Sequence, residues 1–194
     1  MKLQIILGST RPNRQTEKLA KWVVKEAEKL GDSSVELVDL ADYPMPFLDE
    51  PISPRYNSER KINEQAGRWV AKLEEGDAYI FVTPEYNHSI PGVLKNALDY
   101  ITFELNKKPS TVVAHGTVGG ARATMHLKEM LSESLSVPIP KAVAFAGAGQ
   151  NLDDEGTLSA ELSAQPYGPR VALQNMLEEL KWYSDALSVA RAKS

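Results

Sequence analysis

The chain of 194 residues contains no cysteine. Structural disulfides and thiol catalysis are therefore excluded, and with them the small secreted scaffolds that disulfides hold together. Histidine is scarce: His88, His115 and His126 are separated by intervals that match no metal-ligand spacing. Each reads as a satisfied polar or surface residue, and no metal site is expected. Long apolar runs are missing too. The run within residues 1–8 is far too short for a signal peptide or a membrane span, so a cytoplasmic protein without a membrane partner is the default. Charge of one sign is not in large excess. The 22 basic and 26 acidic residues leave a formal charge of −4, which offers no electrostatic reason to bind nucleic acid. Neither repeats nor low-complexity blocks occur. With 42% hydrophobic and 25% charged residues, the composition is ordinary for a globular chain, and the length suits one domain over residues 1–194.

What is present is alternation. Short apolar runs at residues 3–7, 35–40, 78–82, 111–114 and 142–145 have strand length, and their lack of charge suits strands buried on both faces. Between them lie helical patterns. Leu19, Trp22, Val23, Ala27 and Leu30 share a face, with Gly31 as a stop. Residues 58–75 carry Ile62, Ala66, Trp69, Val70 and Leu73 on one side, and a further helix starts at Pro91 with Leu94, Leu98, Ile101 and Leu105 on its apolar face. Residues 121–135 and 171–187 read similarly. Trp22, Trp69 and Trp182 all fall on apolar helical faces and are expected in the core, whereas Glu59-Arg60-Lys61 reads as a solvated helix face. Five strands alternating with five helices make a three-layer α/β sandwich. Two segments stand apart: residues 42–57, punctuated by four prolines, and residues 147–168, with a short helix near 158–162. Segments of such length are either functional or plain surface connections.

Three junctions can carry chemistry. Gly8-Ser9-Thr10-Arg11-Pro12-Asn13-Arg14-Gln15-Thr16 joins the first strand to the first helix, where backbone N–H groups and the helix dipole favour an anion. Hydroxyls on Ser9, Thr10 and Thr16 add donors, Arg11 adds a planar fork, and Arg14 a possible second charge. The segment is neither a Walker loop nor G-x-G-x-x-G. Its alternatives are a phosphate cradle and a plain turn with capping hydroxyls, and two arginines beside three hydroxyls favour the cradle. Thr83-Pro84-Glu85-Tyr86-Asn87-His88-Ser89-Ile90-Pro91-Gly92 leaves the third strand through a stiff backbone, able either to support a flat heteroaromatic ring or simply to cap the core with Tyr86. His115-Gly116-Thr117-Val118-Gly119-Gly120 follows the fourth strand, where glycines allow either a close ligand or a tight turn. Ser9 beside a glycine is not a hydrolase signature, because the G-x-S-x-G elbow is missing. In an open sheet of order 2-1-3-4-5, ligands settle in the crevice between strands one and three, and the two richest loops leave just those strands.

These residues resemble the NADPH-dependent FMN reductase family, with its quinone, azo-dye and chromate reductases. Gly8-Ser9-Thr10-Arg11-Pro12-x-Arg14 is similar to its phosphate loop. Thr83 through Asp99, read as TPEYN-x-S-x-PG-x-LKNALD, is similar to its flavin-ring signature. The resemblance implies a flavodoxin-like fold and bound FMN, with NADPH or NADH as reductant. It implies phosphate contacts from Ser9, Thr10, Arg11 and Gln15 or Thr16. Pro84, Glu85, Tyr86, Asn87 and Ser89 would line the ring, and Gly116, Thr117, Gly119 and Gly120 would approach from the far side. His115 departs from the smaller residue expected there. Hydride chemistry would belong to the flavin at N5, without a protein nucleophile or an obligatory acid or base. The acceptor would be a small molecule, and the assembly a homodimer or tetramer built on residues 91–105 and 42–57. The other class is a flavodoxin-like electron carrier without nicotinamide turnover, for which a charge of −4 is small.

Overall fold

A computed structural model describes residues 1–193. Its strands are β1 (Lys2–Leu7), β2 (Ser34–Asp39), β3 (Ala78–Pro84), β4 (Pro109–Gly116), β5 (Val137–Pro138) and β6 (Val143–Ala146). Its helices are α1 (Gln15–Glu28), α2 (Glu64–Glu74), α3 (Gly92–Asp99), α4 (Ala121–Glu133), the short α5 (Ala148–Asn151) and α6 (Ala160–Ala164), and α7 (Pro169–Arg191). All strand pairs are parallel, and the order is β2-β1-β3-β4-β5, as expected for a flavodoxin-like sheet. The fifth position is split. β5 pairs with Pro109 and Ser110, whereas β6 pairs with Val113 through Gly116. Pro138 and Pro140 lack an N–H for the ladder, and only an edge strand tolerates such an interruption.

β3 is buried along its full length, in keeping with its unbroken apolar sequence. β2 is not: as an outer strand it is partly open to solvent, which corrects its reading as buried on both faces. One side of the sheet is covered by α1 and α7, which set Leu19, Trp22, Val23, Leu173 and Met176 against Leu3, Ile5, Val82 and Phe145. Trp22 meets Phe145 edge to face at 5.3 Å. On the other side α2, α3 and α4 pack Trp69, Leu73, Leu94, Leu98 and Leu127 on Ile6, Phe81 and Val112. The indole N–H of Trp69 donates to the Ala97 carbonyl at 2.9 Å, so its one polar atom is satisfied.

Three sequence expectations need correction. The helix drawn over 58–75 starts at Glu64, because the Asn63 side chain accepts from the amides of Gln65 and Ala66 and fixes the N-terminus there. Arg60 is consequently not on a solvated helix face. Its Nε donates to Glu50 at 2.8 Å, its Nη1 to the Tyr100 carbonyl at 2.9 Å, and its guanidinium lies over the Tyr100 ring. Both partners of the ion pair are nearly buried, so the proline-rich segment is clamped to the end of α3. Second, α3 stops at Asp99, and Leu105 reaches the core from the turns that follow. Third, Trp182 is 65% exposed on the outer side of α7, against Tyr183, while Trp22 and Trp69 are core residues as expected.

Replacing Arg60 with Leu strands a nearly buried carboxylate. Arg60→Leu is expected to lower unfolding free energy by about 3 kcal/mol, the scale for breaking a buried pair, as read by urea denaturation. A midpoint equal to wild type contradicts the clamp.

Candidate functional site

The loops after β1, β3, β4 and β6 meet at the carboxyl end of the sheet. The first is fixed at Gly8, whose N–H donates to the Val82 carbonyl at 2.9 Å. Gly8 leaves little room for a side chain: a Cβ would come within 2.9 Å of the Leu94 side chain and 3.0 Å of the Val82 oxygen, so both would have to shift. Arg14 then closes the loop from within. Its Nη1 donates to the Ser9 carbonyl at 2.6 Å, and its Nη2 pairs with Asp39 at the end of β2. Arg14 is thus committed to the loop's own architecture and is not the second free charge. Arg11 is different. It is exposed, forms no ion pair among the described residues, and lies over the Tyr86 ring with 5.4 Å from guanidinium carbon to centroid. Its positive charge remains available to an anion.

The expected hydroxyls divide in the same manner. Ser9 is 0% exposed with its Oγ 3.1 Å from the Tyr86 hydroxyl, and Thr16 is 1% exposed with its Oγ1 2.8 Å from His115 Nε2. Thr10 and Gln15 are open to solvent. α1 begins without a side-chain cap, since its N-cap residue is Arg14, so its first-turn amides keep their capacity for an anion.

The second loop turns back through Asn87 (φ 49°) and His88 (φ 67°), while Tyr86 and Ser89 exchange backbone hydrogen bonds of 2.8 and 3.0 Å. Two successive left-handed residues closed by such a pair are a tight two-residue hairpin, which explains the rigidity. Glu85 serves the next element. Its carboxylate accepts from the Arg122 and Ala123 amides at 3.0 and 3.4 Å and from Arg122 Nη1 at 2.8 Å, capping α4. The hydrogen bond from the Arg122 side chain, with those amides, holds the Glu85 pKa below the usual carboxylate range. Ser89 Oγ lies 3.1 Å from His126 Nδ1 on α4. Pro84 is buried as the last residue of β3. In the loop after β4, Gly119 and Gly120 hold positive φ (76° and 78°), and a Cβ on Gly120 would lie 2.7 Å from that of Ala114. Gly116 lies against Glu85, and Thr117 is exposed.

A cleft of about 580 Å³ brings together Gln15, His115, Gly116 and Thr117 with residues 146–151. That last wall was not singled out from sequence, where residues 147–168 read equally well as surface connection. Gly147 and Gly149 were its only local hint. A second cleft, about 480 Å³, lies between Thr10, Leu40, Ala41, residues 43–47, Val93 and Asn96; none of its lining residues is charged.

The profile of the NADPH-dependent FMN reductase family matches residues 1–150. This chain belongs to that family. An NAD(P)H-dependent FMN reductase of Schizosaccharomyces pombe is 36% identical over 129 residues, which cover 66% of this chain and 64% of that protein, a little less than two thirds of its length. An FMN-dependent NADPH-azoreductase of Staphylococcus haemolyticus is 31% identical over 160 residues, 81% of this chain and 84% of the relative. Among solved structures, the flavoenzyme NAD(P)H:(acceptor) oxidoreductase FerB of Paracoccus denitrificans superposes with a TM-score of 0.72 at 25% identity, covering 95% of this chain and 97% of that one. The cofactor of the family, FMN, fits the crevice on the structure's own terms: an uncapped helix start, one free guanidinium and an adjoining cleft lie together.

His115 titrates unusually. Burial lowers its pKa from 6.5 to about 4, because the cationic form loses hydration there. Between these values the unfolded chain binds a proton that the native protein does not, so stability falls as pH drops through that window. Above it both forms are neutral and the full contribution is present. The loss is expected to approach about 3 kcal/mol. Urea unfolding of wild type and His115→Gln near pH 7 and near pH 4.5 isolates it; equal losses in the two proteins refute the assignment.

Proposed function

We propose that the chain acts as a cytoplasmic, FMN-dependent NAD(P)H oxidoreductase that passes reducing equivalents to a small-molecule acceptor, with its 194 residues forming one cofactor-binding unit. The observation that carries this reading is the meeting of the β1 and β3 loops at the point where strand order reverses, with Arg11 free and the start of α1 uncapped. FMN, when bound there, supplies hydride transfer between a reduced nicotinamide and the acceptor.

The protein's part is binding and shape. Arg11, Thr10 and Gln15, with the first amides of α1, grip the phosphate, while Ser9 and Thr16 brace the cradle from behind. Pro84, Glu85, Tyr86, Asn87 and Ser89 present a rigid edge to the flavin ring, with Glu85 and Ser89 tied back to α4. Gly116, Thr117 and Gly119 keep the opposite wall low enough for a planar group to enter. Flavin, quinone, azo compound and metal oxyanion are the acceptor classes in view.

The expected experiment is anaerobic mixing of the yellow, FMN-loaded protein with NADPH or NADH. Rapid bleaching of the flavin absorbance is predicted. An unchanged spectrum favours the electron-carrier reading, and protein that takes up no FMN sinks both. Arg11→Ala is expected to weaken FMN retention by about 1.5–3 kcal/mol, the scale of a hydrogen bond to a charged group; a variant that keeps its flavin through extensive dialysis as well as wild type does refutes Arg11 as a phosphate ligand.

We also propose a homo-oligomer, a dimer or a tetramer built from two dimers. Phe47, Ile52, Tyr56, Val93 and Phe103 are all exposed, and all belong to residues 42–57 and 91–105, where apolar side chains at the surface favour a partner of the same kind. Sedimentation at micromolar concentration is expected to give a species of at least twice 21.4 kDa; monomer alone refutes it.

A further inference from the structure

His115 sits at the end of β4, and its side chain reaches ninety-nine residues back along the sequence to the first turn of α1. There Nε2 lies 2.8 Å from Thr16 Oγ1, and Thr16 is closed to solvent. The same helical turn is held on its other side. Gln15 lies against Gly149, where a Cβ would come within 3.0 Å of the Gln15 Cδ and Oε1 atoms. The backbone of His115 is itself immobilised: its carbonyl accepts from the Glu85 amide at 2.8 Å, and Gly120 is packed so closely that a Cβ there would lie 2.9 Å from the His115 nitrogen. The start of α1 is therefore braced between the loops after β4 and β6, and that start has no capping side chain of its own.

We infer that His115 is a positioning residue for phosphate recognition: through Thr16 it aims the uncapped amides of α1, so that it sets the preference for a phosphorylated flavin over the same flavin without phosphate. This rests on the reading of the β1 loop as the FMN phosphate cradle. Amides at a helix start discriminate an anion only while they point at one place, and an unbraced first turn frays. A neutral imidazole suits the task, because it supplies one fixed hydrogen bond without adding a cation that would attract anions indiscriminately. Burial keeps His115 neutral at physiological pH.

The test compares affinities for FMN and for riboflavin, which shares the ring and ribityl chain but has no phosphate. Flavin-fluorescence titration is applied to wild type, His115→Leu, Thr16→Val, the double variant and His115→Gln. Thermal melts confirm that each is folded. Wild type is expected to prefer FMN. His115→Leu and Thr16→Val should each lose about tenfold in FMN affinity, the loss expected for one hydrogen bond, with riboflavin affinity changed less than about twofold. The double variant should lose no more than either single one, since both remove the same bond. His115→Gln, whose amide can still reach the hydroxyl, should restore the preference for FMN. Equal losses for both flavins, additive losses in the double variant or unchanged FMN affinity each overturn the inference. If wild type binds neither flavin, it is the cradle reading itself that fails, and the inference falls with it.

Discussion

Because β1 hydrogen-bonds to β2 on one side and β3 on the other, the connection from β1 to β2 runs one way across the sheet and the connection from β2 to β3 returns past β1 the other way. α1 crosses on the face shared with α7, whereas α2 and α3 cross on the other. No helix then covers the carboxyl ends of β1 and β3, and a crevice opens between their loops. The rest of the site elaborates that gap. Its walls are buried apolar sheet, which cannot bind anything selectively, so recognition falls to the loops that rim it.

Those loops are tied to one another more than to their own helices. Ser9 meets Tyr86, Thr16 meets His115, the Glu85 amide bonds the His115 carbonyl, and the Glu85 carboxylate caps α4. Each such bond contributes only about 1 kcal/mol to stability. Their larger effect is on the cost of binding, since loops ordered beforehand lose little entropy when a ligand arrives.

The sheet order and the crevice were legible because they follow from local signals: apolar runs of strand length and polar loops at strand ends. The arginines were not separable by type. Arg11 and Arg14 read alike in sequence, and only the Asp39 carboxylate, brought near by the parallel pairing of β1 with β2, assigns Arg14 to the scaffold. Arg60 was misread for a related reason: its partners, Glu50 and Tyr100, lie ten and forty residues away and leave no periodic trace. The helix pattern was extended too far at residues 58–63 because Ile62 fits the apolar phase, although Asn63 ends it with a side-chain cap. Trp182 lies between Leu180 and Ser184, both closed to solvent, and therefore on the outer side of α7; its residue type suggests a core position that its place on the helix does not give it. Residues 146–151 carry no charge or aromatic group, so apart from Gly147 and Gly149 nothing in the sequence marks them as a wall, and it is β6 that places them beside His115.

The charges around the crevice follow from these pairings. Arg14 is neutralised by Asp39 and Arg122 by Glu85, while burial withholds a proton from His115. What remains is Arg11 and the partial positive charge at the start of α1, set at one end of the gap. An anionic group is therefore drawn to that charge, and the Tyr86 ring, over which the Arg11 guanidinium lies, borders the same place. What this crevice attracts is thus decided by which charges the fold leaves unpaired, and only afterwards by the shape of the loops.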